Sequence, residues 1–392
     1  MKAARVAEKD RDMKVELFTG NDVKKLRPLW EACFPEETKI FTDYYFENKA
    51  GGNITPVQTE QGEVFSMVHL TPYRTNKGDN VSYVVGVGTQ ESHRRRGLMD
   101  GLLREAFRYM KKQGEPFTFL MPAKPEIYTP YGFTYIYDKT LYEFNEDSLS
   151  PRLLKEACDR QECLNLSGNE SGNLTFRIVK DADCVRIADF ANSFLASRFD
   201  CFMKRNESYY HIMIKELAAQ NGGLFTMEKE GKLLGLLSFT YEEEKAGIQE
   251  VLFAEELVPR DLFHENGKKP IIMARILDVK KMLSVLESEK EFKIAIKVTD
   301  EIIRDNEGVY RLCCGPSGSH VTVNPEKCGF RECREAFETC CEANVQDLTA
   351  FLFGYKKAAE CFKVCENSKE ADVWNKLDSL KKYDRVFINE IV

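Results

Sequence analysis

The residues of this 392-residue chain that are most suited to chemistry form a basic turn, Arg94-Arg95-Arg96-Gly97, between two predicted elements. An apolar run over residues 84–88 indicates a buried strand before it. Apolar residues at helical spacing from Leu98 to Met110 predict an amphipathic helix after it, over about residues 97–113. The first N–H groups of a helix lack internal partners and carry the positive end of its dipole. Glycine permits close approach of a ligand, and arginine adds forked, charged donors. The turn therefore predicts a phosphate or pyrophosphate site.

A second interpretation of residues 94–97 is a solvated basic cluster without a ligand. Three cations at the positive end of a helix dipole are locally unfavourable unless an anion is present. We therefore prefer the anion site.

The elements that must position this turn alternate between strands and helices up to about residue 148. Before the turn, apolar spacing predicts one helix over residues 22–34 with Asn21 as its N-cap. After it, residues 117–120 indicate a short buried strand, and Pro122 and Pro125 mark a loop. This order is typical of an α/β domain.

Two further segments are expected. A polar region up to residue 173 contains a predicted loop at residues 167–172, and an αβ segment then runs to about residue 270. It repeats the order of the first segment: a strand, two helices and a run of strands. The last segment begins with a predicted helix over residues 277–287 and ends in the apolar run 386–392. The length agrees with two or three domains.

Composition excludes several classes of protein. Hydrophobic residues make up 43% and charged residues 30%, which is typical of globular domains. A net charge of −7 argues against a nucleic-acid partner and is compatible with a cationic substrate. No apolar run is long enough for a membrane span. Residues 1–13 are polar, so we expect a flexible extension rather than a secretory signal. The 13 cysteines then indicate reduced thiols and a cytoplasmic location.

The cysteines do not predict a metal site. Cys328-x4-Cys333-x6-Cys340-Cys341 lacks a Cys-x-x-Cys pair, and the last three are expected on one helix. The five histidines show no ligand spacing. We therefore expect structural thiols and no metal.

The basic turn resembles motif A of the GNAT acetyltransferases, Arg/Gln-x-x-Gly-x-Gly/Ala. Arg94 and Gly97 fit this motif, whereas Met99 replaces its last small residue. Three arginines followed by Gly-Leu-Met are similar to the Eis-like ("enhanced intracellular survival") branch. The resemblance implies acetyl-coenzyme A as cosubstrate. Backbone contacts to its pyrophosphate are implied for Arg95, Arg96, Gly97, Leu98, Met99 and Asp100, and a lining of its pantetheine arm for Val87, Gly88 and Thr89.

The same resemblance assigns a proton donor. GNAT enzymes often carry Tyr-x-x-Phe/Tyr-Gly-Phe/Tyr after the next strand, and Tyr128, Tyr131, Gly132 and Phe133 match this pattern. By position Tyr128 gives a proton to the departing thiolate, whereas Tyr131 is a packing residue. The alternative is that both tyrosines only pack.

In Eis-like enzymes the chain ends inside the active site, and its terminal carboxylate is the general base. Here the apolar run ends at Val392, as a buried terminus would. Burial would raise the pKa of this carboxylate and make it a better base. The alternative is that residues 388–392 are only an edge strand of the third domain, with no catalytic role. Glu390, Glu36 and Glu37 are further candidates for attracting a cation, with solvated surface charges as the alternative.

The resemblance extends over nearly the whole chain and implies an α/β (α+β) architecture of tandem GNAT folds, the second degenerate, plus a sterol-carrier-like domain. After residue 253 the second segment has Glu255 and Glu256 where the first has its arginines. The expected boundaries are an extension over 1–13, a catalytic domain over 14–148, a degenerate domain over 149–270 and a sterol-carrier-like domain over 271–392.

The expected function is acetyl transfer to a primary amine by direct attack. Polyamines, aminoglycosides, lysine side chains and peptide N-termini are open as acceptors, and so is transfer of a longer acyl group. The resemblance suggests a homohexamer. Neither a nucleic acid nor a membrane is expected as a partner. The alternative function is a non-catalytic binder of coenzyme A or lipid.

Overall fold

The computed structural model describes residues 14–168, 172–242, 245–253, 262–324, 339–366 and 368–390. The strands in these ranges are β1 Lys14–Thr19, β2 Ile54–Glu60, β3 Glu63–Arg74, β4 Asn80–Thr89, β5 Phe117–Leu120, β6 Thr134–Phe144, β7 Cys163–Gly168, β8 Gly172–Ile178, β9 Cys201–Phe202, β10 Gly223–Lys229, β11 Lys232–Glu242, β12 Lys245–Phe253, β13 Phe263–Ile276, β14 Glu287–Ser288, β15 Phe292–Thr299, β16 Gly308–Gly315, β17 Gly318–Asn324, β18 Cys340–Asn344, β19 Lys363–Val364, β20 Leu380–Lys381 and β21 Val386–Phe387.

The α-helices in the same ranges are α1 Asn21–Lys24, α2 Arg27–Cys33, α3 Lys39–Tyr44, α4 Leu98–Lys112, α5 Pro125–Tyr128, α6 Pro151–Arg160, α7 Cys184–Ala196, α8 Glu207–Ala219, α9 Val279–Ser284, α10 Val345–Leu352, α11 Ala358–Cys361 and α12 Glu370–Asp378. A π-helix, Tyr45–Lys49, continues α3. In the portion of the chain that is described, no helix is long and apolar enough to cross a membrane.

The largest sheet has the order β1-β2-β3-β4-β5-β13-β6. Helix α4 connects β4 to the parallel strand β5, and α4 packs against β2, β3 and β4. This helix forms because its apolar residues repeat at helical spacing, and they are buried here: Leu98, Leu102, Leu103, Ala106, Phe107 and Met110. The predicted helix over residues 97–113 and the predicted strand over 117–120 are confirmed.

Strand β13 crosses the boundary expected between residues 270 and 271. It lies in the first sheet, where Met273 is opposite Leu120 of β5 and Phe263 is opposite Phe144 of β6. The first sheet is therefore completed by residues 263–276, which lie at the end of the second segment and the start of the third.

The second and third sheets are separate layers. The second has the order β12-β11-β10-β8-β7, and α7 and α8 pack against it around an apolar cluster that includes Ile187, Leu195 and Tyr210. The third has the order β17-β16-β15-β18-β19. Helix α10 packs against β13 and β6 of the first sheet and against β18 and β15 of the third, so it joins these two layers.

Several local expectations were wrong. The helix expected over residues 22–34 is divided into α1 and α2, because Pro28 lacks an N–H and is tolerated only at the start of a new helix. Asn21 is the first residue of α1, and Gly20 is its N-cap. The loop predicted over residues 167–172 is shorter, because residues 167 and 168 end β7 and residue 172 begins β8, whereas residues 169–171 lie outside the described residues. The rest of the polar region contains α6.

The last segment also differs from expectation. Helix α9 begins only at Val279, because residues up to Ile276 belong to β13 and Asp278 caps the helix by accepting from Lys281 N. Cys340 and Cys341 lie in β18, not in a helix, and Cys341 is opposite Ile296 of β15. Cys328 and Cys333 lie outside the described residues.

Candidate active site

The first feature of the site is a fork between β4 and β5. These parallel strands pair at Ser82–Thr118 and Tyr83–Phe119, and their pairing ends there. Strand β4 nevertheless continues to Thr89, held on its other edge by β3. The edge of β4 that faces the fork can therefore form backbone hydrogen bonds with an extended ligand, as an added strand would.

A β-bulge shapes the end of β4 inside this fork. Met67 of β3 is opposite Gly88 and His69 is opposite Val85, so Gly86 and Val87 both face Val68. Gly86 has φ of +57°, and a Cβ there would lie 2.3 Å from Trp30 Cζ3. Both the conformation and the space thus require glycine, and the bulge bends β4 beyond the point where its pairing with β5 ends. Sequence reasoning missed Gly86, although a glycine inside a strand is a recognised sign of a bulge.

The basic turn closes the fork. Arg95 and Gly97 both have positive φ, 63° and 79°, and Gly97 is the N-cap of α4. No described side chain caps this helix start, so its first N–H groups have no side-chain acceptor among the described residues. Arg94 Nε donates to Thr89 O over 3.1 Å and ties the turn to the strand end. Such an arrangement of N–H groups is suited to an anion.

The predicted cofactor residues thus lie at the two sides of one opening. Val87, Gly88 and Thr89 end β4, and residues 95–100 start α4. The side chain of Leu98 is buried in the core, so only its backbone is available to a ligand. The Asp100 carboxylate accepts from Arg104 Nε at 2.9 Å and from the Tyr131 hydroxyl, which compensates its charge.

Tyr128 is the last residue of α5 and packs in T-shaped contact with Phe133, with 6.0 Å between ring centroids. Burial raises the pKa of Tyr128 to about 12, so its hydroxyl is protonated at neutral pH and can serve as a donor. Tyr131 instead bonds to Asp100, in keeping with the structural role expected for it.

A cavity of about 990 Å³ lies between the first sheet, the segment before α3 and helix α8. Its floor includes Thr71 and Tyr73 of β3, which are opposite Tyr83 and Val81 of β4. The cavity therefore lies one strand away from the start of the fork. We call it the acidic cavity, because the described carboxylates that line it outnumber the cations: Glu36, Glu37, Glu216, Glu242, Glu250 and Glu390 against Lys49, Arg74 and Lys204.

The three glutamates singled out from the sequence are brought together in this cavity. Burial raises the pKa of Glu37, and repulsion from Glu36 adds to the effect. Glu390 is only 3% exposed. Burial raises its pKa to about 7, an effect that Arg205 opposes and Glu250 reinforces. Tyr209 donates to Glu390 Oε1 over 3.4 Å, whereas Oε2 has no partner among the described residues.

Strand β9, together with strand β12 of the second sheet, holds the C-terminal tail, residues 385–390. Strand β21 pairs with β9, and Asn389 Nδ2 donates to Gln249 O over 3.0 Å. Arg205 forms a buried bidentate ion pair with Glu250, at 2.6 Å for each contact. The tail thus reaches the wall of the acidic cavity at Glu390. Val392, the expected base, lies outside the described residues.

One group of potential ligand atoms was not visible in the sequence. Ligand atoms of Asp181, Cys184 and His211 lie within 4.8 Å of one another. They come from the start of α7, the turn before it and the first turns of α8, so their proximity depends on helix packing. Spacing along the chain cannot reveal such a group.

Comparison with known families identifies two domains. Residues 14–136 match the family model described as acetyltransferase (GNAT) domain, and residues 279–387 match the sterol carrier protein domain. The chain therefore contains a GNAT acetyltransferase domain and a sterol-carrier-like domain, which confirms the resemblance drawn from the basic turn. No curated protein matches the sequence significantly.

Solved structures share this fold over nearly the full chain. A probable N-acyltransferase from Enterococcus faecalis has a TM-score of 0.71 at 15% identity, covering 96% of this chain and 97% of its own. A GCN5-related N-acetyltransferase from Anabaena variabilis has a TM-score of 0.68 at 12% identity, with coverages of 97% and 100%. Eis1 from Mycobacterium abscessus has a TM-score of 0.66 at 11% identity, with coverages of 96% and 99%.

Proposed function

We propose that this protein is a cytoplasmic N-acetyltransferase that transfers acetyl from acetyl-coenzyme A to a primary amine by direct attack. The observation that carries the proposal is the fork between β4 and β5, which ends at an uncapped helix N-terminus with Gly97 in a left-handed conformation. An extended arm with a pyrophosphate at one end fits such a groove.

The cosubstrate would be held mainly by backbone groups. The first N–H groups of α4 receive the pyrophosphate, with Arg95 and Arg96 adding charge, and the free edge of β4 from Val87 to Thr89 receives the pantetheine arm. A backbone N–H of β4 near the bulge would then donate to the thioester oxygen. Such a donor stabilises the developing oxyanion by roughly 3 kcal/mol. No metal is required by this chemistry.

The chemical step needs a proton acceptor and a proton donor. In the proposal the terminal carboxylate of Val392 takes a proton from the ammonium group, and the neutral amine attacks the thioester carbon. The carbon–sulfur bond breaks as the tetrahedral intermediate collapses, and Tyr128 gives its proton to the thiolate. The nitrogen loses its second proton to solvent as the amide forms, and solvent returns a proton to the Tyr128 phenolate. Support for these roles comes from the protonated state of Tyr128 and from Glu390, which brings the tail to the cavity two residues before the end.

The acceptor would occupy the acidic cavity. Its excess of carboxylates favours a cationic amine, so we propose a polyamine, an aminoglycoside or a lysine side chain as the acceptor class. The middle segment, in the proposal a degenerate GNAT fold, supplies one wall of this cavity through α8. A homohexamer is proposed from the family resemblance.

A thiol-release assay tests the function. The protein is incubated with acetyl-coenzyme A and, in turn, spermidine, kanamycin, a lysine peptide or a neutral alcohol of similar size. We expect amine-dependent release and the matching acetylated product by mass. Release that no amine increases would instead favour a binder of coenzyme A or lipid.

Two variants test the assigned roles. Tyr128→Phe removes the proposed donor, and two glycines added after Val392 displace the proposed base. Each is expected to lower kcat by about 10²-fold or more, with little change in melting temperature. Full activity in the extended protein would remove the terminal carboxylate from the mechanism.

A further inference from the structure

The turn that follows Tyr128 is held from outside the GNAT domain. It consists of the 3-10 segment Thr129–Tyr131, Gly132 and the start of β6. Gln346, in the first turn of α10, donates through Nε2 to Thr129 O at 2.7 Å and to Phe133 O at 3.2 Å. One side-chain amide therefore bridges both ends of the turn.

A second contact holds the middle of the same turn. Arg275 of β13 donates through Nη1 to Tyr131 O. Its Nη2 donates to both carboxylate oxygens of Asp300, at 2.8 and 2.6 Å. The side chains of Arg275 and Asp300 are fully buried. Paired, hydrogen-bonded charges of this kind are fixed in position, because separating them would leave a buried charge uncompensated.

Asp300 is itself held firmly by the third segment. Its Oδ1 accepts from Ile302 N at 3.0 Å and Ile303 N at 2.9 Å, and its Oδ2 accepts from Asn306 Nδ2 at 2.9 Å. The carboxylate thus has backbone and side-chain donors in addition to Arg275. The loop at residues 300–306 therefore fixes Asp300, Asp300 fixes the guanidinium group of Arg275, and Arg275 fixes the carbonyl of Tyr131.

The turn is shaped to receive these contacts. Gly132 has φ of +85°, and a Cβ there would lie 2.8 Å from Arg275 Nη1. Glycine is therefore required both by the conformation and by the approach of the guanidinium group. Gln346 and Asp300 both lie within residues 279–387, the sterol-carrier-like domain.

We propose that the sterol-carrier-like domain positions the hydroxyl of Tyr128, with Gln346 and the Arg275–Asp300 pair as positioning residues. This inference rests on the proposed function, in which Tyr128 is the proton donor. Tyr128 directly precedes Thr129, and its ring packs on Phe133, so Gln346 bonds the backbone of the next residue along the chain and of the residue on which the ring packs. A misplacement of about 1 Å at a reacting group can cost about 10²-fold in rate.

Gln346 is the position to change, since it is partly exposed whereas Arg275 and Asp300 are buried. Gln346→Glu keeps the shape but replaces the amide donor with an oxygen that faces two carbonyl oxygens. Gln346→Met keeps the length without a charge and serves if the first variant folds poorly. Gln113→Glu makes the same charge change at an exposed residue that follows α4 and is the matched control.

The expected result is a loss of about 10- to 100-fold in kcat for both Gln346 variants. The KM for acetyl-coenzyme A should change less than twofold, because the basic turn is not touched. Gln113→Glu should retain wild-type kcat.

A double-mutant cycle with Tyr128→Phe separates positioning from general structural damage. If Gln346 acts through the tyrosine hydroxyl, Gln346→Glu should lower kcat less than twofold in the Tyr128→Phe background. An equal loss in both backgrounds would overturn the inference, and so would wild-type kcat in Gln346→Glu when Tyr128→Phe is impaired. Wild-type activity in Tyr128→Phe would instead overturn the role of Tyr128, and the inference with it.

Discussion

Glu390 offers a quantitative test, because burial makes its ionisation costly. Its pKa rises from the ordinary 4.5 to about 7 in the folded protein. The folded state therefore binds this proton more tightly than the unfolded chain does. Stability from this group is fully present below pH 4.5 and is lost as the pH rises through 7. A difference of about 2.5 between the two pKa values corresponds to about 3 kcal/mol.

The perturbation is Glu390→Gln, which keeps the shape and still accepts a hydrogen bond from Tyr209. Urea unfolding of both proteins at pH 5 and pH 8 gives two differences in the free energy of unfolding. We expect the variant to gain up to about 3 kcal/mol relative to wild type on going from pH 5 to pH 8. Subtracting the two proteins cancels the titration of groups that do not interact with Glu390. The groups that do interact with it are Arg205, Glu250, Tyr73, Tyr137, Cys201, Tyr209 and Tyr210.

The refuting result is a difference between the two proteins that is the same at both pH values. It would mean that Glu390 is solvated or compensated in the folded protein, and that the carboxylate is not desolvated at the cavity wall. Glu366→Gln makes the same chemical change at an exposed residue outside the cavity lining and is a suitable control.

Further predictions concern the fork and the acceptor. Gly86→Ala should lower the free energy of unfolding in urea by about 1–3 kcal/mol, since its Cβ would overlap Trp30. Gly52→Ala, with open space around it, is the control and should leave the free energy of unfolding unchanged. Equal effects of the two variants would contradict the bulge argument. Gly97→Val should raise the KM for acetyl-coenzyme A about tenfold, since the left-handed conformation of Gly97 is unfavourable by about 1–2 kcal/mol for a residue with a Cβ. An unchanged KM would argue against the basic turn as the pyrophosphate site. The KM for a cationic amine should fall as the pH rises through 7, because Glu390 then becomes charged; Glu390→Gln should lack this step.

The elements around the basic turn could be predicted from the sequence because their signals are local. The apolar spacing of α4 is complete within its own residues, and the predicted span of 97–113 differs from Leu98–Lys112 by one residue at each end. The strand at residues 117–120 was equally clear. Pro28 was a local signal too, and the division of the predicted helix into α1 and α2 could have been read from it.

The surroundings of the site could not be predicted, because they depend on contacts between distant residues. Nothing in residues 263–276 specifies pairing with β5 and β6, since a strand pattern does not identify its partner. The acidic cavity depends on the same kind of contact. Glu37, Glu216 and Glu390 belong to three separate segments, and only the folded chain brings them to one surface.

These long-range contacts mean that the GNAT domain is not an independent unit. Without β13, strand β5 would lose one of its two neighbours in the sheet, at the position where the fork begins. Without α8, the acidic cavity would lose a wall, and without α10 the turn after Tyr128 would lose the amide that bridges it. The basic turn is encoded within a few residues, but the acceptor side and the donor side of the proposed reaction each depend on a different remote segment. In the proposed function the later segments therefore complete this one site rather than form another.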